Sequence, residues 1–304
     1  MSSSGAGPAI ETSGLTKTYA GVDALSDLSL TVERGALYGF LGPNGAGKTT
    51  TIRLLMGFIK PSRGSSRMFG CDSWADGVHA RRQVGYLVQS ESLFPELTGA
   101  DQLAFAATLS GSGAPLQAKL VDLLELSQAA LGRKLKTYSK GMRQKLALIA
   151  AAQHDPELLI LDEPTDGLDP LIQRAFEAHL HDRHAAGRTI FMSSHDLGEV
   201  DRLCERVAIV RGGKLVQEAS IEGLRAQHHR RAEVVFAHPL DDRVELPGAE
   251  VLKRDGRTLA LLVDLDPNPL LAFLAQCQVE SVTIAPPSLN DIFAGFYETE
   301  STPR

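Results

Sequence analysis

What the chain lacks narrows its class before any motif is considered. Only three cysteines, Cys71, Cys204 and Cys277, are scattered through 304 residues. An odd number without paired spacing suits neither a disulfide framework nor a cysteine metal site, so they read as reduced packing residues. No excess of positive charge is present: the formal charge is −6 and the pI is near 5.9. That balance offers no basic footprint, and no nucleic-acid partner is expected. Long apolar runs are missing too. The longest, such as Leu158 to Leu161, are strand-sized, whereas a membrane-spanning helix needs about 20 such residues. Any membrane role is therefore expected to be indirect. Residues 1–8 carry neither a basic segment nor an apolar one, so they read as a disordered tail and not a secretory signal. The expected compartment is the cytosol. No sustained heptad pattern suggests a coiled coil.

What is present is enough apolar material, 43% of the residues, for one large α/β core and a small second domain. The most informative run is Gly42-Pro43-Asn44-Gly45-Ala46-Gly47-Lys48-Thr49-Thr50. Ala36 to Leu41 before it reads as a buried strand and Thr49 to Phe58 as a helix, which is the context of a phosphate loop. Gly42, Gly45 and Gly47 allow backbone N–H groups to turn inward, and a helix N-terminus favours an anion. Lys48 is expected to reach the β- and γ-phosphates of ATP, and Thr49 to offer its hydroxyl to Mg²⁺.

Ile10 to Val32 alternates as β-structure with a break at Ala20-Gly21, which predicts a small antiparallel layer ahead of the core. From about 94 to 156 the apolar spacing turns helical, as in Leu120, Leu123 and Leu124, and predicts an inserted helical subdomain. Strands return at Leu158 to Leu161 and Thr189 to Ser193, separated by a helix from Leu171 to His184. Gly212-Gly213 suits a tight hairpin closing the unit. The first domain is expected over 9–220, a linker over 221–231, and a small α+β domain over 232–304. Three strand-like runs are read there, Ala232 to Ala237, Thr258 to Val263 and Val279 to Ile284, together with a helical run over Leu270 to Gln276. Before a last helix, Pro287, Ser288 and Asp291 stand in a capping-box arrangement.

Leu158 to Leu161 ends in Asp162 and Glu163. The carboxyl end of a parallel strand is where ligands of such sheets bind. Asp162 is therefore expected to complete the Mg²⁺ shell, and Glu163 to orient or deprotonate the attacking water. Between this pair and the phosphate loop stands Tyr138-Ser-Lys-Gly-Met-Arg-Gln-Lys-Leu146, which resembles the signature of ABC-type ATPases. The resemblance covers about residues 9 to 220. Gln89 resembles the family's Q-loop glutamine, Gly167-Leu168-Asp169 the D-loop, His195 the switch histidine, and Tyr19 the aromatic that stacks on adenine.

The resemblance implies a phosphate-loop α/β fold and ATP hydrolysis with Mg²⁺. It assigns Gln89 to Mg²⁺ or the attacking water, where a membrane partner docks, and His195 to the γ-phosphate. Asp169 can also cap the helix that begins at Pro170. Ser139 and Gly141 are expected to grip ATP held by a second copy of the chain, closing a head-to-tail dimer on two ATP molecules. The signature departs from the commonest form at Lys140, where glycine is usual, and at Met142, where glutamine is usual. Without a span of its own the chain is expected to work on a separate membrane permease, peripheral on the cytoplasmic face, docking beside Gln89 and Ser90 to Thr98. The segment Pro287 to Phe293 resembles the tail domain of drug- and polysaccharide-exporter ATPases, which favours export. The alternatives are an ABC ATPase acting on a ribosome, DNA or a protein partner, and a small-molecule kinase. The kinase reading does not account for the signature, Gln89 and His195.

Overall fold

The computed structural model describes residues 7–88, 90–241 and 244–298. It divides into two compact units, Met1–Glu218 and Ala219–Arg304.

In the first unit, β1 (Ile10–Tyr19) and β2 (Val22–Val32) pair antiparallel, with Ile10 opposite Val32 and Leu15 opposite Leu28. Ala20 and Gly21 both have positive φ, 49° and 84°, and a two-residue turn with that geometry matches the twist of a hairpin. The expected antiparallel layer is therefore present. Next come β3 (Leu37–Leu41), buried at every residue, and α1 (Lys48–Leu55). The chain continues through β4 (Arg63–Met68), β5 (Cys71–Asp72), α2 (Gly77–Arg81) and β6 (Val84–Tyr86). Strands β4 and β5 extend the antiparallel layer to the order β2-β1-β4-β5.

The expected helical insertion consists of α3 (Gly99–Ser110), α4 (Gln117–Leu123), α5 (Gln128–Leu131) and α6 (Lys140–Ala152). A capping box of Thr98 with Asp101 starts α3, and Gly111 in the left-handed region ends it, as orphaned helix-end groups require. The sheet resumes with β7 (Leu158–Asp162), α7 (Pro170–Ala185), β8 (Thr189–Ser194), α8 (Leu197–Leu203), β9 (Arg206–Arg211) and β10 (Lys214–Ser220). Its order is β10-β9-β3-β8-β7-β6. The β3–β8, β7–β8 and β6–β7 ladders are parallel. Tyr38 and Phe40 lie 6.0 and 5.4 Å from Phe191 between ring centroids, all three fully buried at the sheet centre. Burial of one such ring is worth about 1.5–3 kcal/mol.

The second unit contains α9 (Ile221–Ala226), β11 (Arg230–Phe236), β12 (Ala249–Asp255), β13 (Thr258–Val263), α10 (Asn268–Leu274), β14 (Val279–Ala285) and α11 (Leu289–Glu298). Its sheet runs β12-β13-β11-β14 over a core that includes Val234, Leu261, Val263 and Leu270. The segment 221–231 holds α9, capped by Ser220 accepting from the Gly223 N–H at 3.0 Å, with Ile221 and Leu224 buried. A fourth strand, β12, was not anticipated, because it is an edge strand without a fully buried residue and so lacks the alternation that marks a strand. The expected capping box of the last helix forms: Ser288 donates to Asp291 Oδ2 at 2.6 Å, and its Oγ accepts from the Asp291 N–H at 3.2 Å.

Candidate functional site

Parallel pairing aligns the strand ends. Leu41 lies opposite Ser194 and Asp162 opposite Ser193, so three carboxyl ends meet at the loop 42–50. That loop is held tightly. A Cβ on Gly42 would lie 2.4 Å from the Val210 carbonyl, and Gly47, at φ 103°, would place one 2.7 Å from the Ala24 carbonyl. No other residue fits such close backbone approach. Gly47 opens α1 as its N-cap, so the positive end of the helix faces the loop.

The side chains expected to act on the phosphates converge here. The Lys48 ammonium is buried; it donates to the Gly42 carbonyl at 2.6 Å and pairs with Glu163 Oε1 at 3.2 Å. The other Glu163 oxygen meets His195 Nδ1 at 3.1 Å. Thr49 Oγ1 donates to Asp162 Oδ2 at 2.8 Å. The second Asp162 oxygen accepts from the Ser193 hydroxyl, and that same hydroxyl oxygen accepts from the Glu163 N–H at 3.2 Å. Glu163 has φ 48°, a left-handed conformation that costs a non-glycine residue about 1–3 kcal/mol and persists only where neighbours enforce it. Ser193 holds the Glu163 N–H, through its hydroxyl and through its backbone carbonyl at 3.2 Å. It went unassigned in the sequence, where only its place beside Ser194 and His195 marked it.

A cavity of about 320 Å³ is lined by Ala24, Glu163 and the loop residues Pro43, Asn44, Gly45, Gly47, Lys48, Thr49 and Thr50. A second, of about 270 Å³, shares Thr49 and Glu163 with it and is lined also by Asp162, Lys140, Gln144 and Asp166. Positive charge beside a glycine-rich turn fits a polyphosphate. The hydroxyl of Thr49 beside the Asp162 carboxylate supplies the oxygen ligands that a hard divalent cation takes, so the residues present fit Mg²⁺.

Other expected residues stand apart from this cluster. Tyr19 does not line either cavity; the residue is 46% exposed, with the Lys17 ammonium 5.0 Å from its ring centroid. Ala46 is buried within the loop. Ser139 caps α6 by accepting from the Met142 N–H at 3.2 Å, a role that leaves its own O–H free to donate elsewhere. Gly141 lies on the first turn of α6, where a Cβ would come 3.0 Å from the Gly167 carbonyl. Asp169 caps α7 by accepting from the Ile172 N–H at 3.1 Å, with Pro170 following it. Gln89 lies outside the described residues.

Residues 25–166 match the family model for ABC transporters. The daunorubicin/doxorubicin resistance ATP-binding protein DrrA of Streptomyces peucetius is 35% identical over 301 residues, covering 94% of this chain and 91% of that protein. The chain belongs to the ATP-binding proteins of ABC transporters. The Nod factor export ATP-binding protein I of Cupriavidus pinatubonensis is 35% identical over 283 residues, with 91% and 87% of the two chains covered. Among solved structures, an ATP-binding subunit of an ABC transporter superposes with TM-score 0.66 at 31% identity, covering 72% of this chain and 92% of that one. As an ABC ATPase the chain binds and hydrolyses ATP. Among the described residues, no helix is long and apolar enough to cross a membrane.

Proposed function

We propose that this ABC ATPase powers export through a separate multi-span permease, as a head-to-tail dimer on the cytoplasmic face of the membrane. The observation that carries the catalytic reading is Glu163, held between Lys48 at 3.2 Å and His195 at 3.1 Å at the rim of the phosphate loop. A carboxylate fixed at both oxygens is poised to take a proton from an attacking water. Lys48 and the loop backbone neutralise phosphate charge, and His195 supports the γ-phosphate. Thr49 and Asp162, together with Gln89, would hold Mg²⁺, which would supply neutralisation of phosphate charge. Ser139 and Gly141 complete the partner's site, Asp169 borders it, and Tyr19 stacks on adenine, its exposed face suiting a flat base.

Closure follows from differential affinity: ATP binds the closed pair better than the open one, so it shifts the population toward closure, and hydrolysis reverses the shift. Export, as opposed to import, is supported by relatives whose names describe drug resistance and Nod factor export. Their similarity spans 94% and 91% of this chain and so includes its second unit.

Glu163→Gln tests the site. The variant is expected to keep ATP binding, to lose about 100-fold or more of its turnover, and to accumulate an ATP-dependent dimer in sedimentation. A monomer with normal turnover would refute the assigned base. Purifying the tagged chain from its own cells' membranes tests the coupling. Recovery of a multi-span protein supports transport, and recovery of ribosomes or DNA sinks it.

A further inference from the structure

Lys140 is exposed, yet its side chain is held. Its ammonium donates to Asp166 Oδ2 at 2.7 Å, and its stem packs over Gly167, where a Cβ would lie 3.7–3.9 Å from three Lys140 carbons. One turn along α6, Gln144 Nε2 donates to the Pro164 carbonyl at 2.9 Å, as i,i+4 residues on one helix face can. Lys145 approaches Asp169 Oδ2 at 4.0 Å. From the other side, Gln173 of α7 donates to the carbonyls of Thr165 and Leu168 at 3.1 and 3.2 Å. The loop 163–169 is thus gripped along its length by α6 and α7, and it begins at Glu163.

Ser139 is the N-cap of α6, so Lys140 occupies the first helical position, where the helix dipole disfavours a cation. A basic residue there is a poor choice for helix stability by itself. The Asp166 carboxylate offsets this and raises the pKa of Lys140. An exposed ion pair adds little to folding stability, so its consequence must lie in alignment. A glycine at the same position could make none of these contacts.

We infer that Lys140 is a positioning residue: it ties the turn carrying Ser139 and Gly141 to the loop carrying Glu163. This rests on the head-to-tail reading proposed above, in which Ser139 and Gly141 touch the partner's ATP while Glu163 serves the chain's own. The tie then carries occupancy of one ATP site to the hydrolytic base of the other. Hydrolysis becomes cooperative in ATP through a contact within each chain.

The test is steady-state hydrolysis of Mg-ATP by the full-length protein carrying Lys140→Gln, Asp166→Asn, both together, or the exchange Lys140→Asp with Asp166→Lys. Each single change is expected to lower kcat about threefold to tenfold, within the range of coupling between contacting residues, with KM for ATP shifting less than about twofold. The Hill coefficient should fall toward unity while the melting temperature holds. The double variant should be no worse than either single one, and the exchanged pair should recover part of the lost kcat and cooperativity. Native kcat and cooperativity in both single variants would overturn the inference, as would losses that simply add in the double variant. If Glu163→Gln forms no ATP-dependent dimer, the head-to-tail reading fails and the coupling with it. If that dimer forms while the Lys140 variants behave as native, the coupling alone fails.

Discussion

In the six-stranded sheet, β3, β7 and β8 run parallel, so Leu41, Asp162 and Ser194 reach one edge in register. In the four-stranded sheet of the second unit, β11 pairs antiparallel with both β13 and β14, and neighbouring strands end at opposite edges. The first arrangement brings a lysine, two carboxylates, a threonine, a serine and a histidine within hydrogen-bond reach of one another. The second yields an apolar core and a well-capped helix. A parallel sheet concentrates chemistry because every strand delivers its carboxyl end to the same place. An antiparallel sheet alternates its ends and gains stability without a gathering point.

That contrast can be broken by substitutions in each unit. The largest effect is expected from Phe191→Ala at the centre of the first sheet, which should cost about 3–5 kcal/mol of stability in denaturant unfolding, with hydrolysis lost as the strand ends lose register. Lys48→Ala comes next: it should leave the fold intact and lower turnover about 10²–10³-fold, or 2.7–4 kcal/mol of transition-state stabilisation. Ser193→Ala removes the hydroxyl that donates to Asp162 and accepts from the Glu163 N–H, which keeps its bond to the Ser193 carbonyl. About 1–3 kcal/mol is expected there, read as a loss of kcat with little change in thermal stability. A drop in stability with kcat preserved would mean that Ser193 supports folding and not the site.

The second unit should respond more weakly and without touching chemistry. Ser288→Ala is expected to cost about 0.5–2 kcal/mol in the unfolding of that unit while the chain keeps its intrinsic hydrolysis rate. An equal loss of hydrolysis would show that the two units are not functionally separable. The smallest effect is a pH dependence. His179 is buried with neither ring nitrogen hydrogen-bonded, and burial, aided by the Lys119 and Arg183 cations, lowers its pKa from 6.5 to about 4. Between those values the unfolded chain binds a proton that the folded chain refuses, so stability falls as pH drops through that window and is unaffected above it. His179→Leu should flatten this part of the acid limb in pH-dependent melting curves.

The phosphate loop, the strand ending at Asp162 and Glu163, and the signature at Ser139 were legible because each combines a required residue with local spacing. Their neighbours in space were not. Ser193 reads as an ordinary serine until the β7–β8 register sets it against Asp162. Strand β12 carries no such signal because an edge strand needs no continuous apolar face. In the segment 221–231 the basic residues fit an exposed helix end or a linker equally well, and the burial of Ile221 and Leu224 that fixes α9 is a tertiary fact.

The sequence by itself determined that this chain is an ABC ATPase, because contiguous motifs of fixed residue type follow in a fixed order. Only the tertiary structure decided what Lys140 does. A lone lysine in a helix-initiating turn has no partner that local spacing can name. Its partner, Asp166, lies 26 residues away and is brought to it by the docking of α6 against the loop after β7. Chemistry carried by consecutive residues is written in the chain; chemistry that depends on which strand ends and helix turns meet exists only once the sheet is built.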